Sequence, residues 1–80
     1  MAMTKEQIKY AIATMKVDVN MWYEGHHLQT MIPKMEEMSE YEDWVTREQL
    51  MRWIGFMQGV LWIDGHYTVD DLRAMNTKEL

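Results

Sequence analysis

The stretch Thr46-Arg47-Glu48-Gln49-Leu50-Met51-Arg52-Trp53-Ile54-Gly55-Phe56-Met57-Gln58-Gly59-Val60-Leu61-Trp62-Ile63 decides the fold. Leu50, Ile54, Met57 and Leu61 recur at spacings of four and three, the period of one helix face. Trp53, Phe56, Val60 and Ile63 widen that stripe until the segment is apolar nearly all round. Thr46 followed by Gln49 has the form of a capping box, so the pattern predicts a helix over 47–63. Arg52 and Gln58 interrupt it, and it is too short to span a bilayer. Such a helix belongs at the centre of a fold or between two copies of the chain. Gly55 and Gly59 stand four residues apart, although glycine costs a helix about 1 kcal/mol relative to alanine. They imply close approach of another backbone, either the first helix of the same chain or a second copy. Trp53, Gly55, Phe56, Gly59 and Val60 are the expected packing and dimer residues.

Residues 39–46 read as a linker. Before them, Leu28, Met31, Met35 and Met38 form a second stripe, with Pro33 inside it. Further back, Thr4 and Gln7 form another capping box ahead of Ile8, Ala11, Ile12, Met15, Val19 and Trp22. That stripe predicts a helix over 5–24. The two stripes are out of phase, with the break at Gly25. A proline in a helix interior removes an amide donor and clashes with the preceding turn. The expectation is therefore a break, then a short helix over 30–39 with Pro33 in its first turn. One bent helix from 5 to 39 is the alternative. Ile8, Ile12 and Met15 match Leu50, Ile54 and Met57 in spacing from their capping threonines. This reads as two helices obeying the same rules rather than as a duplication.

On the other side, Asp64-Gly65 supplies a stop and Thr68 a new cap. Asp70 and Asp71 suit a helix start, so a last helix over 69–75 is expected to dock Leu72 and Met75. The chain thus reads as a single all-α domain, 1–80. It has three or four helices around an apolar central helix 47–63, and it is expected to dimerise. Eighty residues lie near the lower limit for a self-sufficient core, and there is no cysteine to supply a disulfide or a thiolate ligand. Ten methionines are expected chiefly to fill the core.

Lys and Arg number 8 against 13 Asp and Glu, for a net charge of −5, which works against non-specific binding to nucleic acid. Glu36, Glu37, Glu40, Glu42 and Asp43 account for that deficit, since the segments on either side nearly cancel. With Tyr41 and Trp44 they form an acidic, aromatic strip, the expected partner-binding residues for a basic protein surface. The bland reading is a solvated acidic linker, with the face of Met31, Met35 and Met38 the next candidate for a partner. A helix-turn-helix reading of 47–75 fails because Asp70 and Asp71 would face phosphates.

No catalytic signature or phosphate loop is present. His26, His27 and His66 lie near helix ends. With the first and third helices antiparallel, His26 and His27 would sit far from Asp64 and His66. A metal site at Glu24 with His26 or His27 is a remote reading. Asp64, Asp70 and Asp71 are explained by capping and solvation, and Ser39 is the only serine. No catalytic residue, metal or cofactor is expected. The polar start after Met1-Ala2-Met3 does not resemble a signal peptide, so a cytoplasmic location is expected.

Arg52-Trp53-Ile54-Gly55-Phe56-Met57-Gln58-Gly59-Val60-Leu61-Trp62, then Gly65, Tyr67 to Arg73 and Asn76, resembles small uncharacterised proteins of tailed bacteriophages. The likeness covers about residues 46–76. It implies a phage origin, action inside a bacterial cell and a role beside replication or host takeover; it carries no activity or catalytic residues. The expectation is a small, acidic, non-enzymatic protein-binding module. Its partners are itself and a host or phage protein, with no direct contact to nucleic acid or membrane. The alternatives are a self-assembling scaffold element and an acidic occupant of a host factor's nucleic-acid-binding groove.

Overall fold

In a computed structural model describing residues 3–80, four helices form: α1 Lys5–Trp22, α2 His27–Met38, α3 Trp44–Ile63 and α4 Val69–Asn76. No strand occurs among the described residues. Thr4 and Gln7 close the expected capping box on α1, and Thr68 and Asp71 close one on α4.

Between α1 and α2 the chain breaks rather than bends. Gly25 takes the left-handed conformation, φ 75°, that turns the chain. His26 then caps α2 by accepting the Leu28 amide on Nδ1 at 3.0 Å. This starts α2 at His27, earlier than the expected 30, and moves Pro33 from the first turn into the helix interior. Pro33 lies on the exposed side of α2, away from the core, so its ring displaces no packed side chain.

The expected linker shortens from 39–46 to 39–43. Asp43, not Thr46, caps α3: its carboxylate accepts the Thr46 amide at 2.9 Å. A carboxylate at the N-cap satisfies a free amide and complements the helix dipole, so it captures the helix start ahead of the threonine. Thr46 therefore lies inside the first turn, and its capping box does not form. At the other end, His66 donates its amide to the Leu61 carbonyl at 2.8 Å around Gly65, φ 82°, the expected glycine stop.

The core holds Ile8, Ala11, Ile12, Met15 and Val19 of α1 with Leu28, Met31, Ile32, Met35 and Met38 of α2. Leu50, Ile54, Met57 and Leu61 of α3 and Met75 of α4 complete it. The predicted inner faces are the observed ones except at Trp22, which is exposed because α1 ends there, and at Ile32, a buried residue outside the predicted stripe. α1 packs on all three other helices, whereas α3 leans with one side on α1 and α2 and meets α4 at Gln58. The radius of gyration is 11.9 Å, close to the roughly 12 Å of a compact chain this long. Gln58 is a buried residue that the apolar pattern hid. Its amide exchanges two hydrogen bonds with that of Asn76, at 2.7 and 3.2 Å, and so ties α4 to α3. No helix among the described residues is long and apolar enough to cross a membrane.

Candidate interaction surface

The acidic strip divides once the helices are placed. α2 runs beside α1, and the lysines of α1 meet the carboxylates at the end of α2. Glu36 pairs with Lys16 at 3.0 Å; Glu40 pairs with Lys9 at 2.5 Å and Lys5 at 3.7 Å. The hydrogen bond from Lys9 and its charge hold the Glu40 carboxyl below its usual range. The Thr46 amide does the same for Asp43, which is occupied with capping. Glu37 sits 3.8 Å from Lys34 on its own helix. Glu42 makes no ion pair or side-chain hydrogen bond among the described residues.

Tyr41 and Trp44 are the exposed remainder of the strip, 53% and 73% accessible, at the corner where α2 gives way to α3. Each opens onto a shallow hollow. One, of about 350 Å³, lies between Lys34, Glu37, Met38 and Tyr41 on one side and Thr46 and Gln49 on the other. The next, of about 370 Å³, is lined by Trp44, Val45, Glu48, Gln49, Arg52 and Trp53. A wider groove of about 620 Å³ continues between α2 and α3, with His27, Thr30, Met31 and Lys34 facing Trp53 and Phe56. Each pair of depressions has one residue in common, Lys34, Gln49 or Trp53, so the three form one surface along the α2–α3 side.

The five expected packing residues also separate. Trp53 and Val60 pack half-buried against the core. Gly55, Phe56 and Gly59 point outward. A Cβ at either glycine would meet nothing within 4 Å, so the expected approach of α1 to these glycines does not occur. The face of Met31, Met35 and Met38, the reserve candidate for a partner, is core.

Sequence reasoning missed the cluster at the opposite pole. The C-terminal ends of α1 and α3 converge there instead of lying far apart. The Tyr23 hydroxyl donates to the Asp64 carboxylate, and the Tyr67 hydroxyl donates to Asp18. His66 stacks on Trp22 with ring centres 5.2 Å apart, and both His66 and His26 lie edge-on to Tyr23. Desolvation and the bond to Asp64 push the Tyr23 phenol up to about 12; the same causes, with Asp18 as acceptor, raise Tyr67. Each phenol donates to a carboxylate on a different part of the chain and so tethers one helix end to another. His26 contributes its Nδ1 to the α2 cap. Among the described residues no group of three or more His, Asp or Glu side chains is placed to hold a metal ion. Residue types at helix ends gave the only advance signal for this cluster; which ends meet is a matter of topology.

Compared with known proteins, the chain matches no family model, no curated protein and no solved structure.

Proposed function

We propose that this is a small, acidic, phage-encoded protein that acts without catalysis, by binding a protein of its bacterial host in the host cytoplasm. The α2–α3 corner is the contact. The observation that carries this reading is the exposure of Tyr41 and Trp44 beside a core that is already closed without them. Large exposed aromatic side chains are the usual energetic anchors of a protein interface. Glu37 and Glu42 flank them with exposed carboxylates, which favours a basic partner and speeds its encounter. The phage origin rests on the likeness over residues 46–76. The second acidic reading, occupation of a nucleic-acid groove, needs a row of free carboxylates. Glu36, Glu40 and Asp43 are engaged within the chain, so that reading is weaker.

The test is affinity capture from bacterial lysate with the tagged chain, run in parallel with Tyr41→Ala and Trp44→Ala. A host protein retained by the native chain and lost from both variants, with their circular dichroism unchanged, supports the proposal. Capture that is indifferent to both substitutions overturns it. Glu37→Gln with Glu42→Gln should slow association and flatten its salt dependence, since steering is screened beyond about 8–10 Å.

A further inference from the structure

The outer side of α3 carries a second stripe. Val45, Glu48, Arg52, Gly55, Gly59 and Trp62 recur at spacings of three and four, with Phe56 and Ile63 beside them. These positions share the face of α3 turned away from the core. Every one of these residues is exposed, and no other helix of the chain covers them. Val45, Phe56, Trp62 and Ile63 keep 60%, 56%, 48% and 72% of their surface accessible. Glycines cost helix stability, yet nothing within the chain requires small residues at 55 and 59, where a Cβ would meet no atom.

We infer that this seam is the contact between two copies of the chain, crossing at Gly55 and Gly59. Three observations commit the face to a second copy. The first is shape. A raised edge of Phe56 and Ile63 runs beside a low row of Gly55 and Gly59, so a two-fold axis sets each copy's edge against the other's row. The second is charge. Two copies of a chain carrying −5 repel, and the stretch from Gln49 to Ile63 holds no acidic residue. The basic residue of that stretch, Arg52, is paired with Glu48 just before it, so the seam presents no net charge. The third is area. Side chains of this size and exposure offer on the order of 100 Å² each, so two copies together cover about 1,000 Å² once the glycine backbone is included. That is where specific interfaces begin. The inference goes beyond the host contact; the two surfaces adjoin at Val45, Glu48 and Arg52, which also line the hollow beside Trp44, and variants at opposite ends separate them, Gly59→Leu for the seam and Tyr41→Ala for the host contact.

Sedimentation equilibrium of the full chain between about 1 and about 200 µM tests it, because assembly of this kind depends on concentration. The expected mass rises from 9.7 kDa toward twice that value. Gly59→Leu and Phe56→Glu should each weaken association at least about tenfold. Both sites are open in the single chain, so both variants should keep native helicity by circular dichroism. A native chain that stays at 9.7 kDa throughout overturns the inference. So does a dimer whose affinity neither substitution changes.

Discussion

Removing the Asn76 side chain tests how α4 is held. Gln58 is 8% exposed and bonds through both ends of its amide to Asn76, with Met75 sulfur 3.4 Å from its nitrogen. Asn76→Ala deletes both amide bonds and leaves a buried amide that water cannot reach. An unpaired buried polar group costs about 1–3 kcal/mol. For a domain of this size each kcal/mol moves Tm by about 4–8 °C, so a fall of roughly 5–20 °C is expected. Gln58→Met is different. It removes the buried amide itself, and the Asn76 amide left behind is only half-buried and can be hydrated. Its cost should stay within about 1 kcal/mol, and the double variant should be more stable than Asn76→Ala alone. The assay is thermal denaturation followed by circular dichroism at one fixed protein concentration, because self-association would itself move Tm. If Asn76→Ala is no worse than Gln58→Met, the amide pair is hydrated in solution and the argument fails.

The start of α3 gives a second expectation: Asp43→Ala lowers Tm, whereas Thr46→Ala leaves it nearly unchanged, and the reverse order would restore the threonine as cap. Gly65→Ala forces a side chain into φ 82° and should cost about 1–2 kcal/mol in urea denaturation; no loss would mean that the turn relaxes. The tyrosine tethers predict a loss of stability at alkaline pH. Their folded pKa values lie above the ordinary 10, so their stabilisation is complete below pH 10 and is lost as pH rises toward 12 and beyond. Tyr23→Phe should therefore flatten the loss of stability between pH 10 and 12; an equally steep alkaline limb in that variant would remove Tyr23 as its cause.

Sequence alone determined that the chain is all-helical, most of the inner faces and most of the helix ends, while it left three or four helices open until the break at Gly25 was seen. Those features depend on local periodicity and on side chains within four residues of the backbone groups they cap, so Thr4, Gly65 and Thr68 were legible without a tertiary structure. Local rules failed where two caps competed. Asp43 and Thr46 both suit a helix start, and the carboxylate takes the amide. They failed again at Pro33, whose cost depends on whether its ring lies on the exposed or the packed side of the helix. Three further features were decided only by the tertiary structure. Glu36 and Glu40 form one acidic strip with Asp43 in sequence, but α1 brings Lys16, Lys9 and Lys5 against them. Tyr23 and Asp64 lie 41 residues apart, and they meet because the C-terminal ends of α1 and α3 share a pole. Gly55 and Gly59 look the same in sequence whether a backbone covers them or not. Only the placement of α3, leaning on its neighbours with one side, leaves them open, because burial of one helix face says nothing about what covers the other.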